Sequence, residues 1–116
     1  MSVAYRRVLD AITRVRGVRG AMLVAESDGL VVAEALMEGV RGNAVAALAA
    51  SLAKRVGNAA VATGVGKPHF VQLQASGGTL LTVPAADDLL LVAVAEAEVN
   101  VGLTRLEMLR AVEAMS

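Results

Sequence analysis

The stretch that decides the fold is NAVAALAASLAKRVGNAAV, residues 43–61, which predicts a helix with two apolar faces and a narrow polar seam. At about 100° per residue, one broad face carries Val45, Leu48, Leu52 and Val56. The adjoining face consists of small residues only: Ala46, Ala49, Ala50, Ala53, Gly57 and Ala60. The polar seam consists of Ser51, Lys54, Arg55 and Asn58.

The small-residue face predicts a close-packed neighbour. Alanine and glycine bury little area, and dispersion forces between them require two backbones to approach closely. In a chain of 116 residues few internal elements remain to cover this face, so we expect a second copy of the protein to cover it. The alternative is a helix that is buried inside one domain, or that is rich in alanine because alanine favours helices.

Length and charge exclude several classes of protein. A chain of 116 residues predicts one domain over residues 1–116. Eleven basic and eleven acidic residues balance, so the sequence predicts no nucleic-acid binding and no attraction to an anionic membrane. Cysteine is absent, which excludes disulfides and thiolate metal sites. No apolar run reaches the ~20 residues of a membrane span, and no signal peptide is recognisable, so we expect a cytoplasmic protein without membrane insertion.

The rest of the chain divides into short periodic segments. Residues 5–15 predict an amphipathic helix capped by Ser2, and Asn43 and Asn100 are the predicted N-caps of the central and last helices. The predicted strands lie near residues 21–26, 30–36, 69–75, 79–83 and 89–94. The order α-β-β-α-β-β-β-α predicts an α+β fold, in which helices enclose a five-stranded, mainly antiparallel sheet.

The third predicted strand has the character of an unprotected sheet edge. It carries no charge after His69, whereas edge strands usually carry lysine, proline or a bulge. Such an edge can extend its sheet into a second subunit, although glutamines also occur on ordinary exposed strand faces. We therefore expect a dimer contact through Phe70, Val71, Gln72, Leu73 and Gln74.

No pattern predicts a catalytic residue, a cofactor or a metal ion. The segment 64–67, GVGK, resembles the end of a phosphate loop, but Val61 stands where its first glycine belongs and Pro68 replaces the hydroxyl residue. His69 is the only histidine and has no recognisable nucleophile motif to serve. The better candidates for partner binding are the polar seam residues on the rigid central helix: Ser51, Lys54, Arg55 and Asn58.

Three segments in this order resemble a Roadblock/dynein light-chain domain over essentially the whole chain. They are GVRGAMLVAESDGLVVAEA at 17–35, the alanine-rich central helix, and NVGLTRLEMLRAVEAM at 100–115. The most specific parts are Val18-x-Gly20, Asp28-Gly29, and Asn100-x-Gly102 with Arg105.

The resemblance implies a profilin-like or longin-like fold and a homodimer in which edge strands pair and the two central helices share one face. Family members are not enzymes; they bind small Ras-like GTPases as activators, scaffolds or adaptors, and the bacterial MglB-like members are the nearest functional model. The chain is thus expected to be a homodimeric regulator or scaffold of a small Ras-like GTPase. Two alternatives stay open: a structural assembly subunit without a nucleotide-dependent partner, and a small-ligand sensory module.

Overall fold

The computed structural model describes residues 2–86 and 88–115, which form three helices and five strands in the predicted order. The helices are α1 (Val3–Thr13), α2 (Gly42–Ala62) and α3 (Val101–Ala114). The strands are β1 (Val18–Ala25), β2 (Val31–Leu36), β3 (Val71–Ala75), β4 (Gly78–Pro84) and β5 (Leu89–Ala95). The α+β class and the element order are confirmed.

The described strands form one sheet in the order β2-β1-β5-β4-β3, and each neighbouring pair is antiparallel. This order places β3 at one edge, as the uncharged sequence of that strand predicts. The other edge is β2. The unbroken apolar strand β5 and its neighbour β4 lie inside the sheet, where both of their faces are covered.

The helices cover opposite faces of the sheet. α1 and α3 lie on one face, where Leu9, Ile12 and Met108 are fully buried among strand residues such as Leu23 and Leu91. α2 lies on the other face, over a second cluster that contains Met22, Val24, Leu80, Leu90 and Val92. Neighbouring residues of one strand, such as Met22 and Leu23, therefore belong to different clusters, because side chains alternate between the faces of a sheet.

β1 begins at Val18, three residues before the predicted start, because its first residues already pair with β2 and β5. Gly20 lies opposite Leu36 in this ladder. A Cβ atom at Gly20 would lie 2.7 Å from Cδ2 of Leu36, so a larger residue would displace that side chain. This close contact gives the Val18-x-Gly20 motif a structural reason.

Two of the three predicted N-caps are confirmed. The Ser2 hydroxyl accepts a hydrogen bond from the Tyr5 amide at 3.1 Å, and Asn100 Oδ1 accepts one from the Leu103 amide at 2.9 Å. The predicted Asn43 cap is wrong: α2 begins at Gly42, and its N-cap Arg41 makes no side-chain capping bond.

α2 begins two residues earlier than the predicted Asn43 cap implies, at a point where the chain packs closely against β2. A Cβ atom at Gly42 would lie 2.7 Å from a Glu34 carboxylate oxygen and 2.8 Å from Cδ1 of Leu36. Gly42 therefore lies against the side chains of Glu34 and Leu36 where the chain turns into the helix. No described helix combines the length and hydropathy needed to cross a bilayer.

Candidate interaction surface

The small-residue face of α2 packs on the sheet of its own chain. Ala46 and Ala49 are completely buried and Ala50 is 7% exposed, all within the cluster under α2. The opposing sheet surface is made of large side chains, such as Met22, Leu80 and Val92. Since interiors are close-packed, a helix above such bulky residues needs small residues on its lower face.

This packing corrects part of the predicted subunit contact. Ala46, Ala49 and Ala50 were expected to face a second subunit, but the sheet of the same chain covers them and leaves almost no surface for a partner. For these three positions the alternative interpretation, burial inside one domain, is the right one. Further along the same face Ala53, Gly57 and Ala60 are only half-buried, and their contact with a partner stays a prediction.

The face with the large side chains lies partly in solvent instead. Leu48 is 50% exposed, and Val45, Leu52 and Val56 are half-buried on the same flank of α2. The small residues are thus buried and Leu48 is left in solvent, although Val45 and Leu52 also pack against the cluster under α2. An exposed leucine flanked by half-buried aliphatic residues makes this side of α2 the better candidate for an interface.

The edge strand β3 continues this apolar flank. Leu73 is 38% exposed and lies opposite Leu80 in the ladder, which places both on the α2 face of the sheet. Gln72 and Gln74 point to the other face and are exposed. Among the described strands β3 pairs only with β4, so its outer row of backbone N–H and C=O groups has no strand beside it.

Phe70, which was predicted to belong to the pairing strand, lies just before β3 and packs against the α1/α3 cluster. The Arg105 guanidinium lies 5.3 Å from the centre of its ring, a cation–π distance. The Phe70 ring is therefore partly buried against its own chain. It also gives a structural reason for Arg105, one of the residues in the family resemblance.

A groove separates the first half of α2 from the edge strand. Its volume is about 340 Å³, and its lining is mostly apolar. Val45 and Leu48 contribute from the helix, and Leu73, Ala75 and Leu80 contribute from β3 and β4. We call this groove together with the outer edge of β3 the edge surface. Leu48 was missed as a candidate because its spacing along the helix does not tell which face meets the sheet.

The polar seam of α2 is exposed along its length. Ser51, Lys54, Arg55 and Asn58 all lie in solvent. Among residues 2–86 and 88–115 the single ion pair joins Arg110 to Glu107, at 3.4 Å. Lys54 and Arg55 thus offer two cationic groups that no carboxylate of the described chain neutralises.

The described residues contain no group of three or more His, Cys, Asp or Glu side chains arranged to hold a metal ion. His69 is exposed in the loop that leads to β3. The geometry of the described surface is therefore that of a contact surface: an apolar groove, an open strand edge and a nearby cationic helix face.

Comparison with known proteins identifies the class to which this arrangement belongs. The sequence profile of the Roadblock/LC7 domain matches residues 5–95, from α1 through the last strand. The chain belongs to the Roadblock/LC7 family.

Particular relatives come from archaea and bacteria. An uncharacterized protein of Methanocaldococcus jannaschii is 34% identical over 107 residues, which are 92% of each chain. The gliding protein MglB from Thermus thermophilus superposes with a TM-score of 0.83 at 25% identity, covering 99% of this chain and 90% of that one. A structure described as MglB with tetrameric arrangement gives a TM-score of 0.85 at 26% identity, with 99% and 89% coverage.

Proposed function

We propose that this chain is a cytoplasmic, non-enzymatic homodimer that binds a small Ras-like GTPase as a regulator or scaffold. Membership of the Roadblock/LC7 family supports the proposal, and so does the similarity to MglB over nearly the whole chain. The structural observation that supports the proposal most directly is the edge surface, where an open strand edge adjoins a half-exposed aliphatic groove.

The edge surface is the proposed contact between the two copies. Antiparallel pairing of β3 with the same strand of a second copy satisfies the free backbone groups of both strands at once, because a twofold axis makes the contact self-complementary. The pairing also brings the second copy next to Leu48 and Leu73. A specific dimer of this kind is expected to bury on the order of 1,600 Å² in total.

The polar seam of α2 is the proposed contact with the GTPase. It lies on a rigid 21-residue helix, and Ser51, Lys54, Arg55 and Asn58 offer hydrogen-bond donors to solvent. Cationic and amide groups in this arrangement suit an acidic surface or the phosphate-binding region of a nucleotide-dependent partner. A GTPase is activated either by a donated arginine or by repositioning of its own groups, so Arg55 is the residue to test for the first route.

The test is a binding titration of the dimer with the Ras-like GTPases of the same organism, beginning with any encoded next to this chain. Each GTPase is loaded with GDP or with a non-hydrolysable GTP analogue. We expect one GTPase to bind with at least a tenfold preference for one nucleotide state. Absence of binding to every GTPase in both states contradicts the proposal and favours a purely structural assembly subunit.

Variants of the seam make this test specific. Lys54→Ala and Arg55→Ala should each weaken GTPase binding about tenfold, the loss expected when an interface charge is removed from a complementary partner. The matched control is Arg110→Ala, an exposed arginine of α3 on the opposite face of the sheet, which should bind normally. The rate of GTP hydrolysis by the GTPase is then measured with the Arg55→Ala variant. Loss of activation indicates that Arg55 is donated to the GTPase active site. Unchanged activation indicates that the GTPase's own groups are repositioned, and no activation by either protein indicates docking alone.

A further inference from the structure

A second cleft lies beneath the later half of α2, away from the edge surface. It has an outer compartment of about 420 Å³ and an inner one of about 30 Å³. Glu26, Ala53, Gly57 and Lys67 line both compartments, so the two adjoin each other between α2 and the end of the sheet. We call the two compartments together the α2 cleft.

Thr82 lines the inner compartment of the α2 cleft and carries a buried hydroxyl group without a partner among the described residues. Thr82 is 1% exposed, and its Oγ1 has no hydrogen-bond partner among the described residues. A buried polar group left in this state costs about 1–3 kcal/mol, and valine has nearly the same shape without that cost. On the same strand Thr79 is equally buried but faces the α1/α3 side, where its hydroxyl lies 3.5 Å from the Ala97 carbonyl oxygen.

The cleft is also lined by a residue that weakens the helix. Gly57 lies inside α2, where glycine is about 1 kcal/mol less favourable than alanine. Packing within the chain does not require it, because a Cβ atom at this position would meet nothing within 4 Å. A glycine at such a position is explained if another molecule approaches the backbone there.

Charges of both signs surround the opening. Lys54 and Lys67 contribute two ammonium groups, and Glu26 and Asp88 contribute two carboxylates. The acidic side is held in place by two hydrogen bonds between neighbouring turns: the Glu26 amide donates to the Asp88 carbonyl oxygen at 2.8 Å, and the Ser27 hydroxyl donates to Asp88 Oδ2 at 2.7 Å. None of the four charged groups belongs to the one ion pair of the described residues.

We infer that the α2 cleft binds a small zwitterion of the free α-amino-acid class. A ligand with one ammonium and one carboxylate group matches a lining with two charges of each sign, whereas a nucleotide requires an excess of cations. The ligand's carboxylate is placed toward Lys54 and Lys67 and its ammonium toward Glu26 and Asp88, with the Thr82 hydroxyl at the inner end. This site shares Lys54 with the polar seam, but its ligand and its test involve no GTPase and do not depend on the proposed GTPase function.

The experiment is calorimetric titration of the full chain with each of the twenty standard L-amino acids, together with thermal unfolding. At least one amino acid should bind, and at about one hundred times its Kd it should raise Tm by roughly 5 °C or more. If L-leucine is a binder, 3-methylbutylamine and 4-methylpentanoate, which each lack one of its charged groups, should bind at least tenfold more weakly. Equal binding of a singly charged analogue overturns the zwitterion assignment, and absence of binding by all twenty overturns the site.

Variants of the cleft separate ligand binding from stability. Thr82→Val should raise the Tm of the protein alone and weaken amino-acid binding about tenfold, whereas Thr79→Val, the control on the opposite face, should leave binding unchanged. Gly57→Leu should abolish binding by filling the cleft, and Gly57→Ala should retain most of it. Lys67→Gln changes an exposed side chain, so the fold is retained, and it should weaken binding about tenfold.

If the Gly57→Leu and Lys67→Gln variants both bind the amino acid with the affinity of the wild type, the α2 cleft is not the binding site. All of these measurements use this chain alone. Absence of amino-acid binding therefore does not contradict the proposed GTPase function. Absence of GTPase binding likewise does not contradict the proposed amino-acid site.

Discussion

The lower face in the first half of α2 (Ala46, Ala49 and Ala50) and the flank of α2 toward β3 are both apolar, but only the lower face is covered there by its own chain. The lower face consists of alanines that are buried against Met22, Leu80 and Val92. The flank carries larger side chains, yet Leu48 is half exposed. Size alone therefore does not tell which face of a helix meets its own core, because the bulk of the opposing sheet decides how small the helix residues must be.

Burial of the alanines also moves the proposed dimer contact away from the lower face of α2. If the alanines had been free, two helices would have met through small residues at short distance. With the alanines buried, the surface left for a second copy is the edge surface, where half-exposed aliphatic side chains adjoin an open strand. The proposed interface thus has the apolar centre and polar surroundings typical of subunit contacts.

The largest expected effect is at the lower face of α2. Ala49→Glu places an unpaired carboxylate in a completely buried position, and we expect a loss of about 3–5 kcal/mol in the free energy of unfolding, a large share of the typical 5–15. Urea unfolding followed by circular dichroism measures this loss. Ala47→Glu, two residues away and exposed, should change stability by no more than about 0.5 kcal/mol. Similar losses in both variants would show that the two faces are wrongly assigned.

The second largest effect is expected for dimer association, at the flank of α2 that carries Leu48. Leu48→Glu should weaken association of the proposed dimer by about 2 kcal/mol or more, roughly thirtyfold in Kd, because the contact would bury this half-exposed leucine at its centre. The unfolding free energy of the monomer should change by less than about 1 kcal/mol. Light scattering over a concentration series measures the association.

A control for the flank is Leu106→Glu in α3, where the leucine is 44% exposed on the other face of the sheet. This variant should keep the mass of the wild type. A soluble Leu48→Glu protein of unchanged mass at every concentration would contradict the edge surface as the dimer contact. A combined Leu48→Glu and Leu73→Glu variant should dissociate further if both leucines belong to one contact.

Periodicity and turn chemistry were sufficient to predict the element order, the edge position of β3 and the Asn100 cap, because these depend on local sequence. They did not predict which side of α2 faces inward, since that depends on the volume of Met22 and Leu80, which come from other strands. The start of α2 was misplaced for a similar reason: the close approach of Gly42 to β2 is a tertiary contact.

The candidate sites were predictable to different extents. The exposure of the polar seam followed from residue polarity, and the structure places all four of its residues in solvent. The α2 cleft was not predictable. Thr82 is one β-branched residue in a mostly apolar strand, and its distinguishing property, a buried hydroxyl without a partner among the described residues, exists only after α2, β3, β4 and β5 are assembled.

The smallest expected effect compares the starts of α2 and α3. Asn100 caps α3 through its side chain, so Asn100→Ala should cost about 1 kcal/mol in the free energy of unfolding. Asn43 lies inside α2 and makes no capping bond, and alanine is the better helix former, so Asn43→Ala should be neutral or stabilising by a few tenths of a kcal/mol. Parallel urea titrations of the two variants measure the difference. Equal destabilisation by both would mean that Asn43 caps α2 after all and that the close approach of Gly42 to β2 does not determine where the helix begins.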